Sequence, residues 1–186
     1  MIETLRLLSG NREKIRETTD ILGAAGVRVV PIQAKLEEIQ SSSLERIVHD
    51  KLLKAFARVG RPMMVEHTGL YLDALNGFPG GLTDHFWGAV GPARLTELFG
   101  GPADNKLHAR TIVGFTDGRN VHKFEGLVHG TIPRSPRGNP SFEWDCVFVP
   151  DGYDQTFAEM GAAKSAISMR RLALDQLVLH LEVATL

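Results

Sequence analysis

The chain has 186 residues, a net charge of −1 and a single cysteine, Cys146; 43% of its residues are hydrophobic and 23% are charged. One cysteine excludes an internal disulfide framework and a multi-cysteine zinc site, and the charge balance leaves no electrostatic footprint for nucleic acid or an anionic membrane. No run approaches the ~20 apolar residues of a membrane span, and Met1–Arg6 has neither the basic start nor the apolar run of a signal peptide. The expectation is one domain, residues 1–186, of a cytoplasmic protein.

Leu5–Leu8 reads as a buried strand entering a turn at Ser9-Gly10-Asn11. Asn11 is a candidate N-cap for a helix carrying Ile15, Ile21 and Leu22, with Gly26 as its stop. Val27–Ile32 is a second strand. Ser42 with Glu45 fits a capping box, opening a helix whose apolar face runs from Leu44 to Val59 before Gly60. Pro62–Val65 and Leu70–Leu75 read as two short strands flanking a polar turn, and 76–81 as a loop. A helix is expected at Arg94–Phe99, and two strands, Leu107–Phe115 and Val121–Ile132, join at Asp117-Gly118. Val147–Val149 is a short strand, and a second strong amphipathic helix spans Lys164–Leu181. Strands and helices mix along the chain, so the class is α/β or α+β with a mixed sheet.

Several segments have the chemistry of an anion site. The strand–turn–helix at Ser9-Gly10-Asn11 with Lys14 gathers helix-start N–H groups and a point charge, which suits phosphate, although a plain capped helix start has the same letters. Glu66 offers a carboxylate to a divalent ion and His67 a base near neutrality, but both also fit a polar turn. Glu37-Glu38 precede a helix, where carboxylates are ordinarily solvated. Phe142-Glu143-Trp144-Asp145 pairs aromatic faces with carboxylates, as base recognition or core packing requires. Arg134, Arg137, Lys164, Arg170 and Arg171 are cations that pair with anions or cover the surface. The histidines lack zinc spacing, and no Gly-x-Ser-x-Gly elbow is present.

The order of these segments is more specific than any one of them. Ser9-Gly10-Asn11/Lys14, Glu66-x-Thr68-Gly69-Leu70, Ala74–Gly80, Pro136-Arg137-Gly138, Phe142-x-Trp144-Asp145, Pro150–Met160 and Lys164-x-Ala166-Ile167-Ser168-x-Arg170 together resemble the inosine triphosphate pyrophosphatase family from about Leu5 to Leu181. The resemblance implies a two-lobed α/β fold, with a long central mixed sheet flanked by helices and a nucleotide cleft between the lobes. It implies hydrolysis of non-standard purine nucleoside triphosphates to monophosphate and pyrophosphate, with Mg²⁺ or alternatively Mn²⁺, by a homodimer. Ser9, Asn11 and Lys14 would hold the triphosphate, and Glu38 and Glu66 the metal. Glu66, His67 and Lys14 would stand at the chemistry. Phe142 would stack on the base, Trp144, Asp145 and Arg170 would shape its pocket, and Lys164 would approach the nucleotide. The chain departs from the family pattern at His67 (Asp in the family), Asp84 (often Lys), Glu143 (Gly), Cys146 (Pro) and Met169 (His). Two other readings stay open: a nucleotide-binding protein that has lost catalysis, and a hydrolase for a different modified nucleotide. Glu37, Asp73 and Glu143 are candidates to replace the carboxylate missing at His67.

Overall fold

The computed structural model describes residues 3–183 apart from 102, 104, 141 and 142. The chain runs β1 (Thr4–Leu8), α1 (Arg12–Ala24), β2 (Arg28–Ile32), α2 (Leu44–Val59), β3 (Met63–Leu72), β4 (Pro79–Gly80) and α3 (Thr83–Phe99). It continues through β5 (Lys106–Thr116), β6 (Val121–Thr131), β7 (Val149–Pro150), α4 (Phe157–Met160) and α5 (Met169–Val183). Among the described residues the strands form one mixed sheet in the order β2-β1-β3-β5-β6-β7, with β4 on β3. β1 is parallel to β2 and to β3, and the remaining pairings are antiparallel. This is the expected α/β class with helices flanking a central mixed sheet.

Local sequence explains most element ends. Asn11 caps α1, its side-chain oxygen accepting from the N–H groups of Glu13 and Lys14. Gly60 stops α2 in the left-handed region at φ 60°, where a Cβ is costly. The cap of α2 is Ser43 and not Ser42: the Ser43 hydroxyl accepts from the Arg46 N–H and donates to Glu45 Oε2 at 2.8 Å. The Ser42 backbone is committed elsewhere, its carbonyl accepting from the Gly81 N–H at 2.9 Å.

β3 is the main departure from expectation. It is one ten-residue strand, paired with β5 from Met63 opposite Thr116 to Leu72 opposite Leu107. The polar residues at its centre remain in the ladder because each finds a partner inside the protein; the Thr68 hydroxyl, for example, bonds that of Thr111 at 2.7 Å. α3 begins eleven residues before the expected Arg94, broken at Gly91 (φ 67°) and Pro92; Phe86, Trp87 and Val90 anchor its first part against the core. The expected strand at Val147–Val149 is a 3₁₀ turn, Glu143–Val147, followed by β7. Lys164 lies in another 3₁₀ turn, Gly161–Ala166, ahead of α5 and not within it.

Successive β3 side chains alternate between the faces of the sheet. Met64 joins the cluster formed by α1 and α5 with Leu5, Leu7 and Phe115. Met63 and Val65 join the cluster under α2 with Val48 and Leu52. A third cluster around Leu95, Trp144, Phe148 and Phe157 takes in Leu70, Leu72 and Leu107, from the other end of β3 and the start of β5. Glu66 and His67, adjacent in β3, therefore point to opposite faces.

Candidate active site

β1 stops at Leu8 while β3 goes on. The two strands pair at Arg6–Met63 and Leu7–Met64, and β4 takes the same edge of β3 at Leu70 and Tyr71. Residues 65–69 thus border a notch at the carboxyl end of β1, where the chain has switched from β2 on one side to β3 on the other. Ligands of open α/β sheets lodge at such points. A cavity of about 310 Å³ fills the notch, lined by the Ser9–Asn11 turn, Lys14, Lys35 and Lys51 together with Glu38, Glu66, His67, Asp84 and Glu143. A second cavity, about 820 Å³, lies between α1 (Glu13, Glu17) and the segment carrying Phe157, Gly161 and Lys164, with Asp145 on its wall.

The fully buried Glu66 is held between cations. Arg170 Nε reaches Oε2 at 2.6 Å and Lys14 Nζ reaches Oε1 at 3.3 Å. Burial pushes this carboxyl up, but Arg170 and Lys14 outweigh it and hold the pKa down to about 2. Arg170, itself 2% exposed, also binds Glu17, whose other oxygen accepts from the Ser168 hydroxyl at 2.8 Å. Burial would lower the guanidinium pKa, yet Glu66 and Glu17 raise it. Arg170 consequently ties the wall of the small cavity, through Glu66, to that of the large one, through Glu17. Both oxygens of Glu66, an expected metal ligand, are paired with cations, Oε1 with Lys14 and Oε2 with Arg170.

On the other face of β3, His67 Nε2 lies 3.2 Å from the Gly81 carbonyl oxygen. A carbonyl only accepts, so Nε2 carries the proton and the Nδ1 lone pair is free to face the cavity. Burial, then Lys14 and Lys51, push the imidazole pKa below its ordinary value against Glu38 and Asp84. Nδ1 faces Glu38 Oε2 across 3.8 Å, and Lys51 Nζ grips Glu38 Oε1 at 2.6 Å. Burial raises the Glu38 carboxyl, but the Lys51 hydrogen bond and charge bring it below the usual value.

At the large cavity, Lys164 donates to both Asp145 oxygens at 2.8 and 2.6 Å. Burial pushes the Asp145 carboxyl up and the Lys164 ammonium down, each against the pull of the other. Trp144 is buried in the third core cluster, with the Lys164 Nζ over its ring at 5.9 Å, and supports the pocket from beneath. Met169 is 1% exposed and belongs to that same cluster. Phe142 lies outside the described residues.

The structure therefore brings Ser9, Asn11, Lys14, Glu38, Glu66 and His67 around one cavity and Asp145 and Lys164 around its neighbour, with Arg170 joining them. Of the candidate replacement carboxylates, Glu143 lines the small cavity and is joined there by Asp84. Asp73 lies near His108 instead. Glu143 adopts φ 42°, a left-handed conformation costing on the order of 1 kcal/mol for a residue with a Cβ. Sequence reasoning missed Lys51 and Glu17. Lys51 had a signal: it falls on the apolar stripe of α2, three residues after Val48 and four after Ile47, and its side chain is only 12% exposed.

The model of the Ham1 family matches residues 5–180. The chain is 32% identical over 168 residues to the dITP/XTP pyrophosphatase of Pyrococcus horikoshii, covering 90% of each chain. It is 36% identical over 178 residues to the inosine triphosphate pyrophosphatase of Kluyveromyces lactis, covering 91% of each. A solved HAM1 protein from Coxiella burnetii has the same fold, with a TM-score of 0.81 at 23% identity over 96% of this chain and 98% of that one. The resemblance read from the ordered motifs is borne out nearly end to end, and the chain belongs to the Ham1 family.

Proposed function

We propose that this protein hydrolyses non-standard purine nucleoside triphosphates, of the dITP and XTP kind, to nucleoside monophosphate and pyrophosphate. The observation that carries the reading is the joining of two cavities. One is a notch of polyphosphate size at the α1 amino end, lined by Lys14, Lys35 and Lys51 among four carboxylates, and the other is a larger pocket with a carboxylate and an ammonium on its wall. The names of the relatives in archaea and yeast support it. Lys14 and Lys51, with the positive end of α1, bind the phosphates. Arg170 and Glu66 fix Lys14. In the reaction, a water oxygen bonds to the α-phosphorus, the bond from that phosphorus to the bridging oxygen breaks, and pyrophosphate leaves.

The resemblance implies a divalent ion. The donors present, Glu38 Oε2 and the Nδ1 lone pair of His67, fit one and would hold it. When bound, such an ion supplies Lewis-acid neutralisation of phosphate charge. The assembly we propose is a homodimer working in the cytoplasm without nucleic-acid or membrane partners. It rests on the resemblance, on the charge of −1, and on the absence among the described residues of any helix long and apolar enough to cross a membrane.

The test is pyrophosphate release from ITP, XTP, dITP and the four common triphosphates with Mg²⁺ and with Mn²⁺. The expected outcome is a kcat/KM at least about tenfold higher for the first three, a difference of ~1.4 kcal/mol in transition-state binding. Asp84 and Glu143 place negative charge beside the phosphates and favour one alternative, a protein that binds nucleotide without turning it over. Calorimetric binding of ITP with no pyrophosphate from any substrate would select that alternative and defeat the proposal.

A further inference from the structure

Glu143 opens the 3₁₀ turn Glu143–Val147, and the other four residues of that turn are buried. The Arg137 N–H donates to the Cys146 carbonyl of the same turn at 2.9 Å, so the backbone that carries Glu143 is fixed from both sides. Glu143 itself is half-buried at φ 42°, a region that glycine enters freely and a residue with a Cβ does not. Among the described residues no hydrogen bond or ion pair engages its carboxylate. The protein thus holds a charged side chain at a cavity, in a costly conformation, with nothing of its own to bond it.

The place of this carboxylate selects the group it can bond. Glu143 lines the small cavity, while Asp145, two residues on in the same turn, stands on the wall of the large one. Two residues of 3₁₀ chain rise roughly 4 Å, so a molecule that fills both cavities passes beside Glu143. The two carboxylates sense each other: burial foremost, and then the Glu143 charge, raise the Asp145 carboxyl against the pull of Lys164 and Arg170. In a nucleoside triphosphate the phosphates offer acceptors and negative charge, which Glu143 repels. The base belongs with Asp145 and Lys164 in the larger cavity. The sugar lies between them, and its hydroxyls are donors that a carboxylate at the seam can accept. Dinucleotide-binding folds hold ribose in this way, with an acidic side chain accepting from the 2′-hydroxyl.

We propose that Glu143 reads the sugar of the nucleotide, its carboxylate accepting from the ribose hydroxyls and so favouring ribonucleotides over their 2′-deoxy counterparts. A 2′-deoxy sugar leaves a carboxylate oxygen desolvated without a donor, and sites built to bond a hydroxyl reject the analogue that lacks it. The repulsion that Glu143 exerts on phosphate is offset when the sugar brings that hydroxyl. This rests on the pyrophosphatase reading for the placement of the nucleotide, and deepens it by naming the sugar class.

The test compares ITP with dITP in two measurements on the purified chain with Mg²⁺. One is pyrophosphate release; the other is calorimetric binding of the α,β-imido analogues of the two nucleotides, which resist cleavage at the α-phosphorus. The wild-type chain is expected to favour the ribose form by about five- to tenfold in kcat/KM and in Kd. In Glu143→Gly the preference should fall to within about twofold, the deoxy form gaining as the repulsion is removed. Glycine adopts φ 42° freely, so this variant keeps the turn. Glu143→Gln, which retains an acceptor oxygen without the charge, should keep part of the preference. A wild-type chain that treats the two sugars alike, while releasing pyrophosphate, overturns the proposal alone. So does an equal loss for both nucleotides in Glu143→Gly, which would mark the carboxylate as a cation ligand or a support of the fold. A ribose preference in binding that Glu143→Gly abolishes, with no pyrophosphate released from any substrate, defeats the enzyme reading alone. Binding of neither analogue overturns both.

Discussion

Glu66 shows how a single side chain links stability to the site. It is buried with both oxygens on cations, and its pKa is held to about 2 against an ordinary 4.5. A carboxyl depressed by folding stabilises the fold in full above the unfolded value, and that contribution is lost as the pH falls through the folded value. Glu66→Gln leaves Arg170 and Lys14 facing each other without their shared anion. The expected destabilisation at pH 7 is roughly 3–5 kcal/mol, the usual cost of breaking a buried pair on one side. The difference between wild type and variant should narrow as the pH drops from about 4.5 towards about 2. Urea titrations across that range measure it, and a difference that stays constant with pH would show that the ionised carboxylate is not what stabilises. The letters Glu66-His67 revealed a carboxylate and an imidazole at a cleft. They did not reveal that the first faces cations on one side of the sheet and the second a lone-pair gap on the other. Those environments come from Glu17, Arg170 and Gly81, which are distant in sequence from Glu66 or His67.

At the scale of elements, periodic patterns were readable wherever an element buries a simple face. α2, the β5–β6 hairpin and α1 stand close to where spacing puts them. β3 was misread as two strands because its central Glu66-His67-Thr68 breaks the apolar run, and only tertiary partners keep those residues in a ladder. The first half of α3 was hidden by Gly88, Gly91 and Pro92, and the start of α5 was displaced by the 3₁₀ turn that holds Lys164. Glycine positions test these packings directly. A Cβ at Gly126 in β6 would lie 1.8 Å from the Met169 carbonyl oxygen at the head of α5. Gly126→Ala is expected to cost about 3 kcal/mol, as overpacking against backbone does. A Cβ at Gly88 in α3 would meet nothing within 4 Å. Gly88→Ala should therefore stabilise by roughly 0.5–1 kcal/mol through helix propensity and a less mobile unfolded chain. Chemical denaturation of the two variants compares them, and equal effects would mean that β6 and α5 are not in close contact.

For the whole molecule, β3 and β5 thread through all three apolar clusters: Met64 and Phe115 in the first, Met63 and Ile112 in the second, Leu70 and Leu107 in the third. Cores that share strands in this way should lose their order together, as expected for a single domain. Trp87 and Trp144 both sit in or against the cluster that carries Phe148, so their fluorescence reports on that lobe while far-ultraviolet dichroism reports on the entire chain. The two signals are expected to give coincident urea transitions with one midpoint; separated midpoints would show lobes that unfold independently. The notch between β1 and β4 has a further consequence. Bare strand backbone ordinarily invites pairing with another chain, and natural sheets blunt their outer edges to prevent aggregation. Here β2 is an unattractive template because it contains Pro31, whereas β7 covers only Gly130 and Thr131 of the outer edge of β6. The unpaired stretch of β3, by contrast, is flanked within its own sheet by β1 and β4, so a small polar molecule can enter where a neighbouring polypeptide cannot. The reactive part of this sheet is thereby kept from sticking to other copies of itself.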